Sequence, residues 1–344
     1  MTTRRDFLNR SLALGASAFA PSVFWSCGND DPLIIGHGEY RYRIIPDWGK
    51  QDASKFPVQD CHEMVQTQNG DLYLLTNHTR NNILVYTLDG KIKNAWGTVF
   101  PGAHGLTLFD ENGSEVLWIT DYERHQVFKM TLDGQLLLTI DAPQDVLAYK
   151  DPTNFKPTET AIASDGSIYI ADGYGAQHIL HYDPNGQLLN VFGGYGTEAH
   201  LFQNAHGICI DDRKKDSPTL LITAREQQAV KRFSLEGKHL ETISLPGAYI
   251  CRPVIHNEQC YFSVLKSKGV GNADSGFVLI MDQNDQVVSC PGATFDSENK
   301  ADFLYHQTMR VFQYPHDVCV DRDENLYVAQ WNSGNTYPIK LVRV

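Results

Sequence analysis

The sequence predicts an all-β protein, a six-bladed β-propeller of four-stranded antiparallel blades. Three observations carry this reading. A four-strand unit recurs every ~40–50 residues, apolar residues within its segments alternate with a period of two, and Gly-containing turns rich in Asp and Asn separate the strands. Helical repeats need a 3.6-residue spacing, which these segments lack.

Composition narrows the function. The 344 residues suffice for one large domain, and 42% hydrophobic against 20% charged residues exclude wholesale disorder. Asp and Glu number 41 against 29 Lys and Arg, a net charge of −12 with no basic run. Nucleic acid and anionic membrane surfaces need clustered positive charge, so neither is an expected partner.

The N-terminus reads as an address. Thr3-Arg4-Arg5-Asp6-Phe7-Leu8, followed by the apolar segment 11–25, has the form of a twin-arginine export signal. That segment has no polar face and is short for a transmembrane helix. Cys27 follows in the position of a lipoprotein processing site, which would anchor the chain to a membrane. Cleavage after Ala18-Phe19-Ala20 is the alternative and gives a free periplasmic protein. The expected organisation is a signal over 1–27, a linker over 28–38 and an exported, monomeric propeller over 39–344.

Inner strands read CHEMVQ (61–66), AHGLTL (103–108), TETAIA (158–163), AHGICI (205–210), RPVIHN (252–257) and PHDVCV (315–320). Each precedes a second strand, such as EVLWITD or NLYVAQ, and a third, such as QVFKMT or IKLVRV. Fourth strands such as IKNAWG and LLNVFG close most units across turns like LDGK and PNGQ. The sixth unit stops after its third strand at Val344, so Tyr40–Gly49 is expected to supply its outer strand and close the ring. Of the cysteines, Cys209 and Cys319 read as small buried hydrophobes, and Cys251 and Cys260 flank a hairpin they would be able to bridge.

The start of each inner strand lines the channel of a propeller. Those positions are His62, His104, Glu159, His206, Arg252 and His316. Any one histidine there is readily explained as a structural residue; four at one repeat position among 13 in the chain are a bias. Blades two, four and six place His104, His206 and His316 a third of a turn apart, able to converge near the axis. Three imidazoles with an open fourth position form a catalytic zinc arrangement, although neutral imidazole also suits Cu, Fe and Ni.

The units resemble NHL repeats, and several motifs resemble the lyase domain of the peptidylglycine α-amidating enzyme, a six-bladed propeller that cleaves peptidyl-α-hydroxyglycine to a peptide amide and glyoxylate. The matching stretches are AHGLTL with WITDYERHQVFKM, KPTETAIASDGSIYIADGYGAQHI, NAHGICID with TAREQQAVKRF, and YPHDVCVDRDENLYVA. The resemblance implies a divalent metal, zinc, on His104, His206 and His316. It also implies a catalytic Tyr174, an active-site Arg225 and a catalytic Asp317. Tyr174 and Arg225 each follow a second strand and so share the histidines' face; ion and guanidinium together are expected to lower the phenol's pKa. Tyr314 stands where the family has methionine, Asn77 or Arg80 replaces its first-blade arginine, and His62 is an additional histidine, outside the family's ligand set. Loops 145–157 and 291–314 are expected to roof the face.

Other readings stay open. A non-catalytic propeller would bind peptide, glycan or protein at the cell envelope, and a lactonase-like hydrolase would bind calcium through an oxygen-rich set. A structural calcium is a second candidate ion. The substrate is a small molecule or peptide in the enzymatic readings. Replacing both Arg4 and Arg5 by Lys should leave precursor in the cytoplasm, as read by cell fractionation; export of the variant would overturn the twin-arginine reading.

Overall fold

Each repeat unit forms one antiparallel sheet. The computed structural model describes residues 33–267, 275–295, 305–307 and 309–344. The export signal and the first part of the expected linker lie outside the described residues.

Blades one to five have four strands each in chain order, beginning with the inner strands Cys61–Gln66, Ala103–Glu111, Glu159–Ile162, Ala205–Asp211 and Ala248–His256. Blade six runs inward to outward as Pro315–Val320, Leu326–Gln330, Ile339–Arg343 and Tyr40–Ile45. Tyr42 pairs with Arg343 and Ile45 with Lys340, so the N-terminal strand closes the ring as its sequence implied. One boundary differs from expectation: Ile34–His37 forms a fifth strand on Tyr40–Ile45, so the end of the supposed linker is folded. Its pairing shields the outer edge of the closing strand.

Cohesion comes from faces between adjacent blades. Among the described residues there are six buried apolar clusters, each spanning one pair of neighbouring blades. The last, uniting Met64, Leu72 and Leu74 of blade one with Cys319, Tyr327 and Ala329 of blade six, completes the circle. Alternating strand residues point to opposite faces, which explains the period-two pattern. The six described cysteines are free; Cys260 lies opposite Ile255 in the ladder, and the bridge that the hairpin would allow between Cys251 and Cys260 is not formed.

Tyr42 anchors the closing strand. It is fully buried among Val278, Val318 and Leu341, and its hydroxyl accepts from Arg343 Nη1 at 3.1 Å. Tyr42→Ala should lower the unfolding free energy by about 3–5 kcal/mol in urea titrations. An unchanged midpoint would show that the N-terminal strand does not bear on ring closure.

Candidate metal centre

A local irregularity builds the site. The ladder between first and second strands slips between Cys61 and Glu63, Ala103 and Leu106, Ala205 and Ile208, Ile250 and Pro253, and Pro315 and Asp317. Four of these slips contain His62, His104, His206 and His316. An extra residue in one strand re-aims a side chain, here into the channel. Blade three, with Glu159 at this position, keeps an unbroken ladder.

The four histidines are brought together and buried. Ring centres are 4.8 Å apart for His104 and His206, 4.8 Å for His104 and His316, and 5.0 Å for His206 and His316. His62 joins them, 4.9 Å from His104 and 4.8 Å from His316. Burial lowers all four pKa values, that of His62 to about 4, so the imidazoles are neutral at pH 7.

Hydrogen bonds fix which nitrogens face inward. His104 Nδ1–H donates to Thr158 O at 2.8 Å, and His316 Nδ1–H donates to His62 O at 3.1 Å. A carbonyl only accepts, so both Nε2 atoms carry lone pairs. Tyr174 O–H then donates to His104 Nε2 at 3.0 Å and accepts from His206 Nε2–H at 3.2 Å. His316 Nε2, His206 Nδ1 and both nitrogens of His62 have no partner although buried. Buried polar atoms are normally satisfied. Neutral imidazoles with backbone-held Nδ1 atoms and orphaned partners fit a divalent transition metal. Among the described residues two compact ligand groups occur, His62 with His104 and His316, and His206 with Cys251 and His316.

Tyr174 is held from below. Asp172 accepts from Lys156 N at 2.6 Å, Ala176 N at 2.5 Å and Tyr149 Oη at 2.7 Å, bracing the turn that carries it. A Cβ on Gly173 would lie 2.2 Å from Ala205 O, and one on Gly175 2.2 Å from Asn154 O, so this turn needs both glycines. Part of the loop expected as a roof, residues 145–157, thus serves as a brace. The other, 291–314, is described only in part, including the short hairpin of Ala293–Phe295 and Tyr305–Gln307. Arg225 is buried with its guanidinium carbon 6.0 Å from the Tyr174 ring centre, and its Nε lacks a partner. Burial raises the phenol's pKa while Arg225 opposes the rise. The expected lowering is therefore not a property of the metal-free side chains.

The remaining candidates lie as follows. Asp317 faces Arg252, whose Nε donates to its Oδ1 at 2.8 Å. Arg252 lies in this carboxylate layer, and Cys251 takes blade five's place beside His206 and His316. Arg80 donates outward to Ser54 O at 3.0 Å, and Asn77 donates to Asp60.

Below the histidines, the Arg252 guanidinium also donates to Leu106 O at 2.9 Å and Met64 O at 3.0 Å, and pairs with Glu63 at 3.1 Å. Glu159 lies 3.8 Å away. This oxygen-rich set is the kind a structural calcium would require, and here its positive centre is the guanidinium. Burial pushes both Glu63 and Glu159 upward, Glu63 furthest, with Arg252 opposing. Beyond this layer, at the channel's other mouth, lies a cavity of about 840 Å³ lined by Gln66, Thr107, Thr160, Cys209 and Arg252 among others.

Sequence reasoning did not single out Glu63 or Tyr122, whose ring centre lies 5.6 Å from that of Tyr174, and it read Cys251 only as able to bridge to Cys260. Acids directly following the histidines of blades one and six were the available signal for Glu63.

No protein-family profile matches the chain. A probable peptidyl-α-hydroxyglycine α-amidating lyase of Caenorhabditis elegans is 31% identical over 173 residues, 49% of this chain and 47% of that protein. Peptidyl-α-hydroxyglycine α-amidating lyase 1 of Drosophila melanogaster is 30% identical over 267 residues, 71% of this chain and 45% of that protein. The chain spans less than half the length of either. Among solved structures, a gluconolactonase of Xanthomonas campestris has a TM-score of 0.61 at 13% identity, covering 91% of this chain and 95% of that one. At that identity the likeness speaks for the propeller alone.

Arg252→Met should lower the unfolding free energy by about 3–5 kcal/mol at pH 7, because it strips buried carboxylates of their counter-charge. The loss should shrink as pH falls toward the ordinary carboxyl range. Burial raises the Glu63 carboxyl above its unfolded range, so the folded state binds protons more tightly there and rising pH favours unfolding. Urea titrations from pH 7 to pH 5 check both the size and the sign.

Proposed function

We propose that the protein is an exported, metal-dependent lyase acting on an N-acyl-α-hydroxyglycine or a closely similar α-hydroxy amide. The observation that carries this reading is the Tyr174 hydroxyl, held between His104 Nε2 and His206 Nε2 beside a buried guanidinium. The two lyases that align with the chain support the substrate class.

The reaction moves one proton and breaks one bond. The substrate hydroxyl gives up its proton, its oxygen becomes the carbonyl of glyoxylate, the C–N bond breaks, and the amide nitrogen gains a proton. No water is consumed and no electrons are exchanged. His104, His206 and His316 would hold a divalent ion, which would supply Lewis acidity toward the hydroxyl or carboxylate oxygen. Tyr174 takes the hydroxyl proton as a phenolate and returns it to the leaving nitrogen. Burial disfavours the phenolate, and Arg225 is the side chain that offsets this. The unpartnered Arg225 Nε also suits the substrate carboxylate, since a buried donor without an acceptor favours an anion there. Asp317 acts through Arg252 as a positioning residue.

Export by the twin-arginine route belongs to the same proposal, ending in a periplasmic protein or one anchored through Cys27. So does a monomeric state.

Glyoxylate release from an N-acyl-α-hydroxyglycine tests the assignment. Tyr174→Phe should lower kcat by roughly 10²–10⁴-fold with metal content unchanged. His104→Ala and His316→Ala should lose metal and turnover together. Wild-type turnover in Tyr174→Phe would remove the tyrosine from the mechanism. A metal-loaded wild type that releases no glyoxylate would overturn the substrate assignment.

A further inference from the structure

We propose that Cys251 is a ligand of the metal, so that the centre combines imidazole nitrogens with a thiolate sulfur. This deepens the preceding proposal and rests on its premise that the channel holds a metal.

Cys251 differs from the other cysteines in its surroundings. Among the described residues, Cys61 and Cys319 belong to one apolar cluster, Cys260 and Cys290 to another, and Cys209 packs against the latter. Cys251 is fully buried and belongs to none of the six clusters. A cysteine kept as a small hydrophobe sits among apolar side chains. This one falls in the ladder slip between Ile250 and Pro253, and the slips of blades one, two, four and six contain the four histidines. Its Sγ is 4.0 Å from Pro315 O, long even for a sulfur hydrogen bond, and the Arg225 guanidinium is a polar neighbour.

Tautomers show which donors are free. His316 commits Nδ1–H to His62 O, so its Nε2 carries the lone pair, and that atom has no partner. His206 commits Nε2–H to the Tyr174 hydroxyl, so its Nδ1 carries the lone pair, again without a partner. His104 has both nitrogens engaged, by Thr158 O and by Tyr174. His206, Cys251 and His316 can therefore each donate electrons to an ion while the tyrosine keeps its bonds. One ligand atom from each of the three lies within 4.8 Å of the others. A buried nitrogen without a partner costs free energy until something binds it, and here two such nitrogens belong to one group with a sulfur.

Sulfur changes which ion fits. Calcium and magnesium take oxygen ligands, whereas thiolate with imidazole suits zinc or copper. On binding, the sulfur–metal bond replaces the S–H bond and the proton leaves to solvent, with no change of oxidation state. Neutral imidazoles alone would leave a divalent ion uncompensated beside the buried Arg225 guanidinium. A thiolate supplies a negative charge where burial makes unpaired charge costly.

Cobalt reports this bond directly, because a thiolate bound to Co(II) gives an intense near-ultraviolet charge-transfer band that imidazole and carboxylate ligands do not. The full chain, Cys251→Ser and a control, Cys209→Ser, would be titrated with Co(II), reading stoichiometry, affinity and absorption. The wild type and Cys209→Ser should bind one ion and show the band. Cys251→Ser should bind cobalt more weakly and lose the band. A band that persists in Cys251→Ser, or a cobalt-bound wild type without one, would overturn the role of Cys251 and leave a centre of histidines alone. A wild type that binds no cobalt would overturn it together with the metal-centre premise. Should Cys251→Ser fail to fold, the cobalt-bound wild type and Cys209→Ser decide by the presence or absence of the band.

Discussion

The guanidinium of Arg252 sits where the irregular inner strands would otherwise leave backbone groups bare. Slips in four ladders turn the histidines into the channel and a fifth ladder slips in blade five, and each slip frees amides and carbonyls that a regular ladder would pair. Arg252 donates to the carbonyls of Met64 and Leu106. Asp317 accepts from Met64 N at 2.9 Å, and Glu63 accepts from Leu106 N at 2.6 Å. Blades one, two, five and six are thereby tied at the axis by one cation and its carboxylates. In blades two and four the remaining amides turn to threonine: Gly105 N donates to Thr120 Oγ1 at 2.7 Å and Gly207 N to Thr223 Oγ1 at 2.8 Å. The polar layer is what makes a buried ring of histidines compatible with a folded core. A network of this kind stabilises only when its members are satisfied.

Much of this was legible in the chain because the propeller repeats its geometry. Once the unit is recognised, equal positions in different blades meet on the axis, and His62, His104, His206 and His316 can be read as one ring from spacing alone. Closure by Tyr40–Gly49 follows from a missing fourth strand, which is an arithmetic property of the repeat. The failures have a common physical origin. A ladder slip adds a residue, so counting from apparent strand starts picks Arg252 in blade five, whereas the strand Ala248–His256 slips twice and brings Cys251 to the histidines. Asp317 shows the second limit. The resemblance implied a catalytic role for it, and its side chain's partner in the fold is Arg252, 65 positions earlier in the chain. Long-range partners of charged groups are not written in local pattern.

Burial controls both proton chemistry and ligand character here. Neutral imidazoles are the form that donates a lone pair, and desolvation removes the competing charged form across physiological pH. The same desolvation works against Tyr174, whose phenolate would carry a charge into the interior. Arg225 therefore has a defined electrostatic task, and its place on the turn Arg225–Gln227, fixed by its amide donating to Asn204 O at 3.0 Å, delivers the charge without a flexible loop. Positive charge beside neutral nitrogens and a phenol is an arrangement that favours an anionic oxygen at the histidine mouth.

The channel is thus divided into two compartments with different chemistry. Volume alone would direct attention to the far mouth, where a cavity of about 840 Å³ opens. Its lining, with Thr107, Thr160, Gln66 and Cys209 alongside aliphatic residues, contains none of the four histidines, nor Tyr174 or Arg225. The histidine end has a different character, with several buried polar atoms lacking partners. Unsatisfied buried groups locate chemistry better than empty space, because an unfilled volume costs little when it is wet and an unpaired buried nitrogen costs free energy until something binds it. Arg252 lies at the boundary, lining the far cavity while its guanidinium holds the inner strands whose slips aim the histidines. By that logic the end of this propeller best suited to take up a ligand is the one where His62, His206 and His316 hold unpaired nitrogens.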